Sequence, residues 1–305
     1  MKAKTIRCLA VSAAVAAALT SVAACGGSDG EGSGKKSDGL ENGGLLKADP
    51  IAALRDVQAK TGGADSAKIE GTTVMGEMMS MKQAGAIDWS DGLSGTMDIT
   101  YTGGTMAETM KQSGVTGPME TRYFKDGYVV NMGETVARQM NGKPWISYTY
   151  DDLAAMAGPS GSVLKDQLQN STPQQAVKAL LASGDVKKAG EESVRGVSAT
   201  RYSGTIDVAE LSTANSELGA KELETFKKQL ATAGITTQKV DIWVDKENLL
   251  VKKVESGKMK TGSFNSTVFY SDYGTKVSAE RPPASETVEF KELMKQGGSS
   301  PAASS

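Results

Sequence analysis

The sequence predicts an α+β fold, a large curved antiparallel β-sheet with about three helices packed on its concave side. Apolar and polar residues alternate with a period of two through most of the chain. Only three segments carry helical spacing between clear stop signals. A shortfall of area completes the case. Three helices of ten to seventeen residues are a modest cover for about ten strands, so the sheet is expected to curl around them and leave an apolar space.

The first helix is expected to start at Asp49-Pro50, a capping residue followed by proline in the first turn. It carries Ile51, Leu54 and Val57 on one face and stops at Gly62-Gly63. The second opens at Ser171-Thr172-Pro173 and runs through Val177, Leu180 and Leu181 to Gly184. The third spans Glu217 to Ala233, places Leu218, Leu223, Phe226 and Leu230 near one face, and ends at Gly234.

Strand signals fill the rest. Leu93, Met97, Ile99 and Tyr101 alternate with Ser94, Thr96, Asp98 and Thr100. Glu120 to Met132 reads as a hairpin around Asp126-Gly127, and Val186 to Glu191 with Val197 to Val208 as another turning near Arg195-Gly196. Val240–Asp245, Leu249–Met259 and Phe264–Tyr273 form a closing meander, with turns at Glu247-Asn248 and Lys260 to Gly262. Short turns between consecutive strands imply antiparallel pairing rather than βαβ units.

The N-terminus has the three parts of an export signal. Lys2, Lys4 and Arg7 precede an uncharged run from Cys8 to Thr20, too short to span a bilayer comfortably. Val22-Ala23-Ala24-Cys25 then resembles the lipobox of bacterial lipoproteins, which implies cleavage before Cys25 and two or three acyl chains on it. Each buried methylene contributes about 0.8 kcal/mol, so several chains anchor a protein permanently. Residues 1–24 are thus expected to be a signal peptide and 25–46 the lipidated cysteine with a flexible Gly/Ser-rich tether. Residues 47–295 are expected to form the folded domain and 296–305 a frayed tail. The protein is expected at the cell membrane, lipid-anchored on the extracytoplasmic face.

Composition excludes several chemistries. The two cysteines are Cys8 and Cys25, so the domain has no thiol, and the chain has no histidine. Zinc, copper and neutral-pH imidazole catalysis lose their usual ligands. No metal, cofactor or catalytic residue is expected. Asp88-Trp89-Ser90-Asp91-Gly92 has two of the acids of a calcium loop and reads better as a turn. Gly34-Lys35 lacks the Ser or Thr of a phosphate loop. Ser162 to Lys165 fits S-x-x-K and Lys260-Thr261-Gly262 fits K-T-G, but no S-D-N triplet lies between them. The net charge of −2 becomes −5 once the three positive leader residues go, which argues against nucleic acid as a partner.

Residues 190 to 290 carry a family resemblance. Gly196-Val197-Ser198-Ala199-Thr200-Arg201-Tyr202, Val240-Asp241-Ile242-Trp243-Val244-Asp245, Leu249 to Val254, Phe269-Tyr270-Ser271-Asp272-Tyr273-Gly274 and Pro282-Pro283 resemble actinobacterial lipoproteins of the LppX/LprG type. They resemble the LolA/LolB carriers more distantly. The resemblance implies a curved antiparallel half-barrel with helices in its concave side, enclosing an apolar cavity for acylated lipid. Fold alone does not establish a ligand. Residues 75 to 119 depart from the family pattern and hold eight of the fourteen methionines, readable as an adaptable flap or as gap-filling core.

The expected function is a tethered carrier of acylated lipid or another hydrophobic ligand. Its lining candidates are Met97, Ile99, Tyr101, Ile242, Val244, Val268 and Tyr270. The alternative is a cell-envelope interaction or sensor protein with a self-filled core and an envelope protein as partner. Trp89 suits a cavity rim or a buried plug. Replacing Cys25 by Ala is expected to release the protein to the medium. Continued retention in the membrane fraction would refute the anchor.

Overall fold

A computed structural model describes residues 49–156, 172–213, 216, 218–232, 234–259 and 262–297. The expected leader, Cys25, tether and tail residues 298–305, the S-x-x-K fragment, and Lys260-Thr261 lie outside the described residues.

Helix α1 (Pro50–Gly62) starts where Asp49 accepts a hydrogen bond from the Ile51 amide at 3.0 Å. Strands β1 (Ser66–Met75), β2 (Met79–Asp88) and β3 (Ser94–Gly103) follow as a meander. Then come α2 (Gly104–Gln112), the hairpin β4 (Met119–Phe124) and β5 (Gly127–Asn131), α3 (Gly133–Gln139), β6 (Trp145–Thr149) and α4 (Tyr150–Met156). Helix α5 (Gln174–Ser183) ends on Gly184 at φ 69, a left-handed cap. The hairpin β7 (Lys187–Val194) and β8 (Val197–Asp207) turns on Arg195 and Gly196, both at positive φ. That pair of values suits the twist of a two-residue hairpin turn. Helix α6 (Ala220–Thr232) leads into the closing meander β9 (Ile235–Val244), β10 (Leu250–Met259) and β11 (Gly262–Ser271). The short β12 (Thr287–Glu289) and α7 (Phe290–Gly297) end the described chain.

The twelve strands form one sheet in the order β12-β6-β5-β4-β3-β2-β1-β11-β10-β9-β8-β7. Every pairing is antiparallel except that of β12 with β6, which is parallel. The expected large antiparallel sheet is present, with one parallel pair added at its edge. The chain returns to the β6 edge through a long connection rather than a hairpin, and such a return permits parallel pairing. The three expected helices are present. Four more, α2, α3, α4 and α7, are too short to show helical periodicity. Asp151 and Asp152 sit in the first turn of α4.

One apolar cluster joins α1, α5 and α6 to seven consecutive strands, from β3 (Met97) through β1 (Ile69) and β9 (Ile242) to β8 (Ile206). A flat sheet of that width would be about 29 Å across at about 4.8 Å per strand. Three helices about 10 Å across match that width, and the cluster reaches both margins. Close approach is set at Gly204 in β8. A Cβ there would lie 2.4 Å from Ser183 Oγ and 3.0 Å from Leu180 Cδ2 of α5.

The outer face has its own cluster of Val194, Ala199, Trp243 and Val251, with Val254 and Phe269 packed on it. Cations lie over its rings. Lys252 Nζ is 3.9 Å from the Trp243 ring centre and the Arg195 guanidinium 3.9 Å from that of Phe269. Trp243 Nε1 donates to Glu192 at 3.0 Å, and Arg201 bridges Asp241 at 2.9 Å. Burial disfavours the Asp241 carboxylate, but hydrogen bonds from Ser203 and Arg201 outweigh it and hold its pKa below the ordinary value.

Trp89 packs against the main core and meets Tyr273 edge-on at 6.4 Å, which fits a plug better than a rim. In the methionine-rich segment, Met97 and Met119 are buried while Met78 is 48% exposed. Gly204→Val should cost about 1–3 kcal/mol by forcing α5 off the sheet. Urea denaturation checks this, and an unchanged midpoint would contradict the close packing.

Candidate ligand cavity

The inner face of the sheet follows from register. Pairing places Ile69 beside Tyr270 and Val268 beside both Gly71 and Lys253, with Lys253 beside Ile242. On the other side, Gly85 lies beside Ile69 and Met97, Gln83 beside Ile99 and Met81 beside Tyr101. Side chains opposite each other in a pair share a face. Met97, Ile99, Tyr101, Ile242, Val268 and Tyr270 therefore stand on one face. Val244 packs in the same inner cluster.

A cavity of about 390 Å³ lies between this face and helices α5 and α6. Its size is at the lower end of the range for small-molecule sites, about 300–1,000 Å³. Val268 and Tyr270 line it. Met97, Ile242 and Val244 are buried in the adjoining core, at 4%, 0% and 3% exposure. Ile99 packs against that core, and Tyr101 borders a separate pocket beside α2 with Met110 and Met119. The structure thus gathers the seven candidates on one face and brings two of them to this cavity.

The cavity is layered along the strands. At one end Ile69, Val268 and Tyr270 face Ala179 of α5. At the other, Met75, Ile235, Met259 and Phe264 form an apolar mouth with Phe226 of α6 nearby. Between them lies a polar row that the sequence reading did not single out. Glu255 is paired with Ser266, and Ser266 with Thr73, across three adjacent strands. The Thr73 and Ser266 hydroxyls are 3.0 Å apart. Lys253 Nζ donates to Glu255 Oε2 at 3.0 Å, with the two side chains 17% and 18% exposed. Gln238, 6% exposed, also lines the cavity, and its Oε1 has no partner among the described residues.

Burial opposes the Lys253 charge, yet the Glu255 carboxylate, by its charge and hydrogen bond, more than compensates and raises the pKa above the ordinary lysine value. The ammonium is therefore charged at any physiological pH. Burial likewise raises the Tyr270 phenol, so it stays neutral, although the Lys253 charge opposes that shift. The polar row is charge-balanced, with one cation against one anion. Among the described residues no group of three or more His, Cys, Asp or Glu could hold a metal ion, and no helix is long and apolar enough to cross a membrane.

Alternation alone hides this row. In Lys252-Lys253-Val254-Glu255-Ser256 the apolar residue suggests that Val254 faces inward. The outer cluster takes it instead and leaves Lys253 and Glu255 inside. The available signal was the pairing of β10 with β9 and β11, which places Lys253 beside Ile242 and Val268.

No family model matches the chain. It is 65% identical over 261 residues to an uncharacterized 31.2 kDa protein from the rplA–rplJ intergenic region of Streptomyces griseus, covering 86% of each chain. It is 44% identical over 312 residues to a Streptomyces coelicolor protein described as "Putative lipoprotein", covering 98% of this chain and 100% of that one. The chain belongs to this actinobacterial lipoprotein family. Among solved structures, the lipoprotein is similar to LprF of Mycobacterium bovis, at 15% identity and TM-score 0.47 over 77% of this chain and 97% of that one. It is also similar to LppX of Mycobacterium tuberculosis, at 14% identity and TM-score 0.45 over 76% and 98%.

The buried ion pair has a direct test. Lys253→Met alone leaves Glu255 without its partner and should cost about 2–4 kcal/mol, the figure for a broken buried pair reduced for partial exposure. Adding Glu255→Leu should recover most of that loss in urea denaturation. A double variant as unstable as the sum of both singles would contradict the pairing.

Proposed function

We propose that this lipoprotein is tethered outside the cytoplasm through acylated Cys25 and binds an acylated lipid in the cavity between α5, α6 and the inner face. The observation that carries the reading is the cavity itself. Side chains of α5 and α6 leave a hollow over β1, β9, β10 and β11 that Ile69, Val268, Tyr270, Phe226, Ile235 and Phe264 help to line. A sensor with a core filled by its own side chains has no need of such a cleft, which favours the binding reading.

Moving a chain of about sixteen carbons out of water is worth on the order of 12 kcal/mol. Moving it out of a bilayer gains almost nothing on that scale, because the chain already sits among hydrocarbon. A carrier therefore needs only near-equal affinity to load and unload. Selectivity comes from shape and from the polar row. The protein acts by binding, without a covalent step.

Native mass spectrometry of the chain from Lys47 onward should show co-purified acyl lipid, or uptake of a fluorescent fatty-acyl probe at about one per chain. Ala179→Phe, which fills the cavity from α5, should weaken uptake at least about ten-fold. A clean unliganded mass together with no probe uptake would overturn the reading.

A further inference from the structure

We propose that Lys253, Glu255 and Gln238 form a seat for an uncharged hydroxyl that lies part-way along the bound lipid, with hydrocarbon on both sides. The inference rests on the lipid-binding reading and names the chemistry which that same cavity selects.

Position comes first. Along the strands, Ile69 and Tyr270 mark one apolar end and Ile235 with Met259 the other, and between them Lys253 is level with Val268, Glu255 with Ser266 and Thr73, and Gln238 with Gly257 and Phe264. Residues 69 and 75 are six positions apart, which spans about 20 Å of extended strand. A ligand with a polar group only at its tip would lay plain hydrocarbon across the polar row at whichever end its head was placed. A group part-way along the ligand meets that row while both arms stay among apolar side chains.

Hydrogen-bonding capacity comes second. Gln238 Oε1 is a buried acceptor without a donor, a deficit that costs about 1–3 kcal/mol until a ligand supplies one. Lys253 has three N–H donors and spends one on Glu255. A hydroxyl can donate to Gln238 or Glu255 and accept from Lys253. An ester or ether oxygen can only accept, which leaves Gln238 unsatisfied.

Charge comes third. Glu255 already neutralises Lys253, so a ligand carboxylate or phosphate entering here would meet an anion at close range without a free cation. The seat therefore disfavours anionic groups. Such a hydroxyl could belong to a hydroxylated acyl chain or to the glycerol of a diacylglycerol, and the probes below separate these sources.

The test is displacement of a fluorescent fatty-acyl probe from the protein by lipids delivered in cyclodextrin. Methyl 12-hydroxystearate should compete at least about ten-fold better than methyl stearate, which differs only by the hydroxyl, and better than stearate. Dioctanoylglycerol outcompeting methyl 12-hydroxystearate would assign the hydroxyl to glycerol, and the reverse order to the chain. Gln238→Leu should reduce the hydroxyl preference about ten-fold, and Lys253→Met/Glu255→Leu should abolish it while still binding methyl stearate. Equal competition by the hydroxylated and plain esters, a lead for stearate, or a preference surviving both variants would overturn the seat. If the fluorescent probe itself fails to bind, the lipid-binding reading falls and the seat falls with it.

Discussion

Strand β11 is the constraint on which the folded unit depends. It pairs with β10, its neighbour in sequence, and with β1, nearly two hundred residues earlier. Through it the meander β1–β6 and the meander β7–β10 become one sheet. Because side chains alternate strictly, a slip of one residue in β11 would exchange Val268 and Tyr270 for Thr267 and Phe269 on the inner face. The inner core would then lose its apolar floor, and the outer cluster would lose Phe269 from beneath Arg195. Apolar packing on both faces specifies the register more tightly than a sheet with one solvated face.

The two faces solve different problems. On the outer face, partly exposed cations lie over Trp243 and Phe269, and Arg201, Asp241 and Glu192 tie β7, β8 and β9 together. These groups keep contact with water and cost little to place there. On the inner face Lys253 and Glu255 are mostly withdrawn from water, where a charged pair is seldom a net source of stability. Methionine and leucine at these positions have about the volume of the native pair and would leave the core no less stable while keeping the hollow open.

Most elements were legible locally. Asp49-Pro50 and Gly184 marked helix ends because their caps act within a single turn. Arg195-Gly196 and Glu247-Asn248 marked hairpin turns, and Arg195, Gly196 and Asn248 adopt positive φ there. The lining candidates shared a face because the strand period is two. Only Val268 and Tyr270 reached the cavity, since Met97, Ile242 and Val244 are buried in the inner core. The buried lysine and glutamate of β10 stayed hidden because Val254, the apolar residue between them, belongs to the outer cluster.

The sequence by itself determined the kinds of element, their order, most of their turns and the common face of the apolar strand residues. Each of these is governed by backbone sterics and capping within a few residues. Tertiary structure alone decided that β11 seals the sheet to β1, that β12 joins in parallel, and that α5 and α6 leave a hollow lined in part by Lys253, Glu255 and Gln238. Those outcomes depend on pairing and packing between segments far apart in the chain, which no local pattern encodes.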